Sequence, residues 1–339
     1  MRILITGGGG FIARHFVERL TREGIALTLF DLAPPEWDPG SATVLLGDVR
    51  DPRALRQALV GGRCDAVLHL AAAHHDSGIA PETYYDVNEG GARTLCGVLD
   101  ELSIRDVCFL STVAVYGDAP EPRREDTPVR PTTAYGKSKL AAERVFQTWA
   151  GGAPGRRAVV IRPPVVFGAG NYANMYALIR QIDSGRFLQI GNGRNVKSLV
   201  YVENLVAATL LAWRREGAPA FEIVNVVDKP DLTSREIAEV LSRALGKAPP
   251  RHSIPLGLGL ALGLPFDAFS LLTGRSLPVS TARIRKYAGE QTKFEADKLA
   301  RLGFRAGVGL EEGLRRMVEW YHREGGGQPA RPRLPPARR

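Results

Sequence analysis

Short apolar runs alternate with stretches of helical periodicity through the first half of the chain. The runs are RILIT, ALTLFD, ATVLLGD, DAVLHLAA, VCFLST and AVVIRPPVVF, each typical of a strand buried on both faces of a parallel sheet. Helical patterns cover residues 54–60, 88–102 and 134–149. This alternation predicts an α/β fold with a doubly wound parallel sheet, whose ligands bind at the carboxyl ends of the strands.

The turn TGGGGFIA connects the first predicted strand to a helix. Free N–H groups and the helix dipole favour a phosphate at such a helix start. The spacing Gly7-x-x-Gly10-x-x-Ala13, with Asp31 about 20 residues later at the end of the second strand, predicts a Rossmann-type dinucleotide site. Because a carboxylate repels a 2′-phosphate, we expect NAD rather than NADP.

Other residues near this turn have narrower roles. Gly8 and Gly9 are expected only to fill the turn. The third predicted strand ends in GDVRD, where Asp48 is placed to accept a hydrogen bond from an adenine amino group, with Val49 beside it. The alternative there is a simple turn in which Asp51 caps the following helix, and both can hold together.

The stretch TTAYGKSKLAAE places Tyr135 and Lys139 four residues apart on one face of a predicted helix. A phenol with a pKa near 10 is a poor base at neutral pH, and a nearby ammonium group favours the phenolate. The lysine can also reach a cofactor ribose. The Tyr-x-x-x-Lys spacing alone is common by chance, so its meaning depends on its surroundings.

Composition narrows the class of protein. The chain has 339 residues, is 44% hydrophobic and carries a formal net charge of +9, enough for one large core with a smaller attached domain. Basic residues are not interleaved with aromatic ones in the folded part, so nucleic acid is not an expected partner. Cys64, Cys96 and Cys108 have no CxxC spacing and are expected to be reduced core residues. Since the first strand begins at Arg2, we expect no leader and a cytoplasmic location.

The pattern loosens after residue 167, which predicts two domains. Residues 1–168 are expected to bind the dinucleotide, with part of 196–228 returning to them, and 169–324 to form mainly a substrate-binding domain. FEIVNVVD predicts a late strand, and residues 310–322 a final amphipathic helix. Residues 325–339, rich in Arg, Pro and Gly, predict a disordered basic tail.

The segment 254–272 is apolar enough to raise the question of a membrane span. Pro255, Pro265, Asp267 and repeated glycines argue against one, because a spanning helix needs about 20 unbroken apolar residues. We expect a buried or interfacial part of the substrate domain, with a face that leans on a membrane as the alternative. His74 and His75 are expected to be loop residues, since further metal ligands are missing from their surroundings in the sequence.

Further motifs follow in a fixed order: HLAA, NEGGARTL, STVAVYG, YGKSK, RPPVVFGAGN and KSLVYVENLVAA. Together with TGGGGFIA, Asp31 and GDVRD, they make the chain resemble the extended short-chain dehydrogenase/reductase family, in its group of NAD-dependent sugar epimerases and dehydratases. The motifs cover about residues 1–215, and FEADKLARLGF near the end is also similar to the family.

The resemblance implies roles for named residues. Tyr135 is the implied general acid/base, Lys139 its partner, and Thr112 a hydroxyl that bonds the reacting sugar oxygen. Ser111 becomes a cofactor or structural contact. The implied cofactor contacts also include Phe11, Ile12, Leu70, Ala71 and Ala72. The implied substrate-side residues are Asn88, which would position a strand end or a water, and Asn171, Arg194, Lys197 and Arg283 or Arg285.

Departures from the family's patterns reduce the number of reactions and substrates to be expected. The family's 4,6-dehydratases carry an Asp-Glu pair where this chain has Val113 and Ala114, so dehydration is not expected. Val165 replaces an asparagine of the best-known UDP-galactose epimerases, which weakens a plain UDP-galactose assignment.

The main expectation is an NAD-dependent epimerase of a nucleotide sugar, acting at C4 of a UDP-hexose or a related sugar in surface-polysaccharide or deoxysugar biosynthesis. The alternative is an NAD(P)H-dependent 4-ketoreductase. A polyprenyl-linked sugar epimerase and a non-enzymatic NAD sensor are less favoured. The resemblance also implies a homodimer.

Overall fold

The computed structural model describes residues 1–74, 80–250, 253–273, 281–284 and 291–326; within these ranges, the side chains of 268–273, 282 and 283 are not described. The strands are Arg2–Thr6 (β1), Ala26–Asp31 (β2), Thr43–Leu46 (β3), Ala66–His69 (β4), Asp106–Leu110 (β5), Arg157–Arg162 (β6), Val165–Phe167 (β7), Gln189–Ile190 (β8), Val196–Lys197 (β9), Leu199–Tyr201 (β10), Phe221–Asn225 (β11), Leu232–Thr233 (β12) and Ser253–Ile254 (β13).

The helices follow the same chain order. They are Phe11–Arg22 (α1), Pro52–Gly61 (α2), Pro81–Tyr84 (α3), Gly91–Glu101 (α4), Ala134–Gly151 (α5), Asn174–Asp183 (α6), Val202–Trp213 (α7), Ser234–Ala244 (α8), Leu256–Thr273 (α9), Thr281–Ile284 (α10), Asp297–Arg301 (α11) and Leu310–Trp320 (α12). Tyr85–Gly90 and Tyr321–Gly325 are π-helical, and Val113–Val115 forms a 3₁₀ turn.

Seven strands form the central sheet in the order β11-β6-β5-β4-β1-β2-β3, and every pair is parallel. Its interior strands alternate their side chains between two apolar clusters: Ile3 and Ile5 face one, and Leu4 faces the other. α1 and α7 cover the first face, whereas α2, α4 and α5 cover the second. The doubly wound α/β sheet predicted from the apolar runs is therefore confirmed.

The run AVVIRPPVVF, expected to be one strand, forms two. Pro163 and Pro164 separate β6 from β7, because proline has no N–H to donate to a ladder. β6 stays in the central sheet, while β7 pairs with β10 in a separate two-stranded sheet. The interruption turns the chain away from the central sheet directly after Arg162.

A third apolar cluster lies in the later part of the chain. It joins α6, α8 and α12 through buried side chains such as Tyr176, Leu241 and Leu314. The predicted late strand is β11, which pairs with β6 at the edge of the central sheet. The expected basic tail, 325–339, lies outside the described residues after Gly326.

Candidate active site

The glycine-rich loop connects β1 to α1 at the carboxyl edge of the sheet. Gly7 has a φ of +68°, and a Cβ there would lie 2.7 Å from the Ala71 nitrogen, so only glycine fits. Gly10 is the N-cap of α1 and donates its N–H to the Gly7 carbonyl oxygen at 3.1 Å. Because glycine offers no capping side chain, the first N–H groups of α1 suit an anionic ligand such as a pyrophosphate. Phe11 and Ile12 follow, both half-buried.

The middle of the loop is more constrained than the sequence suggested. A Cβ at Gly8 would lie 2.7 Å from the Leu29 Cβ on β2, so Gly8 is needed for close packing and is not a mere filler. The Gly9 N–H donates to Asp31 Oδ2 at 2.8 Å. The Trp37 indole N–H donates to the Gly9 carbonyl oxygen at 3.2 Å, a contact that the sequence analysis missed.

The end of β4 forms the floor beneath this loop. Thr6 Oγ1 bonds His69 Nδ1 at 2.7 Å and accepts the Ala71 N–H at 3.3 Å. Burial lowers the pKa of His69 to about 3, so its ring is neutral at physiological pH. Leu70, Ala71 and Ala72 come next and are half-buried, at the edge where a cofactor was expected.

The GDVRD turn is stabilised by an ion pair and hydrogen bonds among its own residues. Asp48 holds Arg50 with two bonds, Nη2–Oδ2 at 2.7 Å and Nε–Oδ1 at 3.0 Å. Asp51 caps α2, accepting the Arg53 N–H at 2.8 Å. The Val49 side chain is buried against Gly91, so it serves the core. The structure therefore gives Asp48 and Val49 structural contacts, and their predicted contact with adenine stays a prediction.

Thr112 and Tyr135 lie on two elements that pack together beyond β5. The Thr112 hydroxyl oxygen accepts the Ala114 N–H at 3.1 Å and begins the 3₁₀ turn. α5 begins on that turn, since a Cβ at Gly136 would lie 2.6 Å from the Ala114 carbonyl oxygen. Thr133 caps α5 by accepting the Gly136 N–H at 3.0 Å. Thr112 and Tyr135 are both half-buried at this junction.

Lys139 lies one turn further along α5 and is almost fully buried, with 2% of its surface exposed. Its Nζ donates to the Leu110 carbonyl oxygen at 2.6 Å and lies 4.1 Å from the centre of the Phe109 ring. Burial lowers the pKa of Lys139 to about 7, and the charge of Glu143 opposes this only in part. The lysine therefore changes its charge near neutral pH.

A buried ionic network joins α5 to the carboxyl ends of β5 and β6. Glu143 Oε2 and Oε1 accept Arg162 Nη2 and Nε at 2.6 and 2.9 Å, and both side chains are about 3% exposed. The Ser111 hydroxyl donates to Glu143 Oε1 at 2.5 Å. The Arg162 guanidinium lies over the Tyr116 ring, whose hydroxyl donates to Asn225. Ser111 thus makes a structural contact, and the sequence analysis missed Glu143 and Arg162 as its support.

Asn88 was expected to position a strand end or a water on the substrate side. Only 1% of it is exposed. Its Oδ1 accepts the Ala73 N–H at 2.9 Å, while its Nδ2 donates to the Ala73 carbonyl oxygen and to Ser138 Oγ. Ser138 in turn donates to the Tyr135 carbonyl oxygen at 2.9 Å. Asn88 therefore joins the segment after β4 to α5, in keeping with the strand-end role, and its contact with a substrate or a water stays a prediction.

The other expected substrate residues that the structure describes belong to other segments of the chain. Asn171 donates to the Val166 carbonyl oxygen and accepts the Ala173 N–H, so its amide shapes its own turn. Lys197 lies on β9 and is half-buried, and Arg194 lies in an exposed loop. Arg283 belongs to α10, but its side chain lies outside the described residues, as do His75 and Arg285.

Two predicted absences can be examined in the described part of the chain. Within it, no three His, Cys, Asp or Glu side chains are grouped so that they could hold a metal ion. None of the helices described there is long and apolar enough to cross a membrane.

Comparison with known proteins bears on these findings. A model of the NAD-dependent epimerase/dehydratase family matches residues 3–226, more than half of the chain. The chain belongs to the NAD-dependent epimerase/dehydratase family. The resemblance stated from the motifs is therefore confirmed.

Relatives cover most of the chain. A protein of Escherichia coli O157:H7, N-acetyl-alpha-D-glucosaminyl-diphospho-ditrans,octacis-undecaprenol 4-epimerase, is 35% identical over 319 residues, 94% of each chain. The UDP-glucose 4-epimerase of Streptomyces lividans is 31% identical over 278 residues, covering 75% of this chain and 82% of the relative. The crystal structure of the Thermus thermophilus UDP-glucose 4-epimerase with NAD has a TM-score of 0.77 and 26% identity, covering 96% of this chain and all of that one.

These findings identify the protein as an NAD-dependent sugar epimerase, as the motifs predicted. The loop fits the cofactor: Gly10 begins α1 with no capping side chain, so the first N–H groups of the helix are available for a pyrophosphate. Asp31 lies at the end of β2, next to the same loop.

Proposed function

We propose that this enzyme inverts the configuration at C4 of a hexose or N-acetylhexosamine carried on a diphosphate. The observation that carries the proposal is the junction of the Thr112 turn with the first turn of α5, which holds Tyr135, at the same carboxyl edge of the sheet as the glycine-rich loop. Relatives named as 4-epimerases support the position on the sugar ring.

In this proposal Tyr135 takes the proton of the C4 hydroxyl and later returns it. Thr112 donates a hydrogen bond to the same sugar oxygen and holds it at the phenol. Lys139, when charged, favours the phenolate form of Tyr135, because an ammonium stabilises a nearby anion. The Leu110 carbonyl oxygen fixes Nζ of this lysine.

The chain's own backbone would hold the cofactor. The N–H groups at the start of α1, around Gly10, would bind the pyrophosphate, and Asp31 would accept from a ribose hydroxyl. When bound, NAD would supply the hydride chemistry at C4, with inversion resulting when hydride returns to the opposite face of the sugar. Because the same cofactor is restored in each cycle, the reaction needs no added reductant.

The carrier of the sugar has two candidates. A nucleoside diphosphate is supported by the UDP-glucose 4-epimerases among the relatives. A polyprenyl diphosphate is supported by the E. coli relative, whose similarity extends over 94% of both chains, including the region after residue 226 that the family model leaves out. Both candidates require the same chemistry at C4.

A parallel assay separates these carriers. Purified enzyme without added cofactor is incubated with UDP-glucose, UDP-N-acetylglucosamine or N-acetylglucosaminyl-diphospho-undecaprenol in detergent, and the C4 epimers are separated by chromatography. Epimer formation from any of the three supports 4-epimerisation, and the best substrate names the carrier. If no epimer forms from any of them while NADH is oxidised with a 4-keto sugar, the ketoreductase alternative replaces the proposal.

The proposal also includes the division into domains, the cellular location and the oligomeric state. Residues 1–168 with β11 act as the cofactor domain, and residues 169–324 act mainly as the substrate domain. The enzyme works in the cytoplasm as a homodimer that pairs through α4 and α5, as the resemblance implies. Light scattering of the purified enzyme tests the dimer directly: a monomer mass would remove it.

A further inference from the structure

The helix α9 packs in the reverse of the usual orientation. A surface helix ordinarily turns its large apolar side chains toward the core and its polar residues toward water. Among the described side chains of α9, up to Asp267, the fully buried positions are Gly259 and Gly263, and Leu256 and Leu260 are half-buried. A Cβ at Gly259 would lie 2.6 Å from Ile190 Cγ2, and one at Gly263 would lie 3.0 Å from Thr281 Cγ2. The closest approach of this helix to the protein is therefore made at its glycines.

The outward side of α9 carries the large apolar residues instead. Leu258 is 53% exposed, Leu262 54%, Leu264 60% and Phe266 42%. Leu258, Leu262 and Phe266 are spaced four residues apart and so form one stripe along the helix. Asp267, the one charged residue of α9, is half-buried and accepts a hydrogen bond from the Thr281 hydroxyl, so it lies on the protein side of the helix.

The sequence around this helix is strongly basic. Between Lys247 and Lys293 the chain holds seven Lys or Arg and only two Asp or Glu. That excess of five positive charges is more than half of the net charge of +9 carried by all 339 residues. An apolar helix face within a basic stretch complements an anionic lipid surface, which takes apolar side chains at its acyl boundary and cations at its head groups.

We propose that the exposed face of α9, formed by Leu258, Leu262, Leu264 and Phe266, seats the enzyme on an anionic bilayer surface. The helix lies in the interface and does not cross the membrane, in keeping with the absence of a spanning helix among the described residues. The inference concerns where the enzyme resides, so it holds for either carrier of the sugar.

The test is sedimentation of the full-length enzyme with vesicles, either of phosphatidylglycerol mixed with phosphatidylethanolamine or of phosphatidylcholine alone. Wild-type enzyme is expected to bind the anionic vesicles, and higher salt should weaken the binding. The variant Leu258→Ser/Leu262→Ser should bind about tenfold more weakly, because it loses apolar area that the bilayer would cover. The basic tail is present in both proteins, so their difference isolates α9.

A matched control exchanges two equally exposed apolar residues elsewhere. Leu46 and Val60 are 58% and 57% exposed, on β3 and α2, and Leu46→Ser/Val60→Ser should bind vesicles like the wild type. Retained NAD in every variant shows that the fold is intact. The proposal is overturned if the wild type ignores anionic vesicles, if both double variants bind alike, or if the α9 variant changes only a dimer into a monomer.

Discussion

The glycine-rich loop and the catalytic edge, which is formed by the Thr112 turn and the start of α5, lie at the same end of the sheet. They are stabilised in opposite ways. The loop requires residues without side chains, since a Cβ at Gly7 or Gly8 would overlap neighbouring atoms. The edge beyond β5 depends on what is present, since Lys139, Glu143 and Arg162 are charged groups buried behind it. Changes in the loop should therefore act through steric overlap, and changes at the edge through uncompensated charge.

The contrast also separates binding from chemistry. Backbone groups in the loop can hold a pyrophosphate but cannot move a proton. The side chains beyond β5 can move one, provided that the buried ions keep α5 in place against the 3₁₀ turn. An intact loop should therefore bind cofactor even when the edge is disabled, and the four variants below test this.

The largest effect is expected for Tyr135→Phe. Losing the acid/base hydroxyl should lower kcat by about a thousandfold, while the purified variant retains NAD as the wild type does. Turnover and cofactor content are measured on the same preparation. Tyr85→Phe, which changes an exposed tyrosine that is 38% accessible, is the matched control and should be fully active. Near-normal turnover of the Tyr135 variant would remove it from the mechanism.

Arg162→Met should be the most destabilising of these changes. It leaves Glu143 buried and unpaired, which costs roughly 3–5 kcal/mol in the free energy of unfolding. The double variant Glu143→Gln/Arg162→Met should recover much of the loss. As a control, Arg93→Met breaks an exposed pair with Glu89 and should cost less than about 1 kcal/mol. Equal losses for the buried and exposed pairs, measured by urea unfolding, would contradict the charge-based account.

Gly7→Ala tests the steric side of the comparison. The new Cβ meets Ala71 in a backbone region with positive φ, so we expect loss of bound NAD and roughly 1–3 kcal/mol of destabilisation. Gly24 has a similar φ of +72° with nothing within 4 Å of its Cβ position. Gly24→Ala should therefore lower the free energy of unfolding by about 1 kcal/mol, and the variant should retain bound NAD. If both variants keep NAD, close packing at Gly7 is not required.

Lys139→Met removes a single buried titratable group, and its effect on the free energy of unfolding depends on pH. Because the pKa of Lys139 falls to about 7 in the folded protein, the unfolded chain binds more protons between pH 7 and 10.5. Wild-type stability should rise across that interval by up to about 1 kcal/mol per pH unit from this group. The variant lacks this contribution, so its advantage over the wild type in chemical unfolding should shrink from pH 6.5 to pH 9.5. An advantage that is constant with pH would show that Lys139 is charged throughout.

The features that could be predicted from the sequence are those that depend on neighbouring residues. Apolar runs and glycine spacing are local signals, and they predicted the central sheet, the loop after β1 and the position of Asp31. The network of Ser111, Glu143 and Arg162 joins residues that are distant in sequence, so no local pattern announced it. The resemblance implied that Asn88 positions a strand end or a water, and only its tertiary contacts with Ala73 and Ser138 show which elements it joins.

The later part of the chain was harder to predict for a related reason. Prolines split the run after β6, and the glycines of α9 reverse the usual correspondence between apolar residues and burial. A sequence pattern reports which side chains avoid water in an average protein. It cannot report that a helix comes closest to its own protein at glycines and leaves Leu258, Leu262 and Leu264 exposed.

The central claim is that hydride leaves C4 of the sugar and returns to the same carbon. The most direct test is a substrate deuterated at C4, incubated with the enzyme in ordinary water without added cofactor and analysed by mass spectrometry and NMR. The account predicts that the epimeric product keeps its deuterium at C4. Replacement of that deuterium by hydrogen from the solvent would show that C4 is deprotonated instead, and would contradict the account.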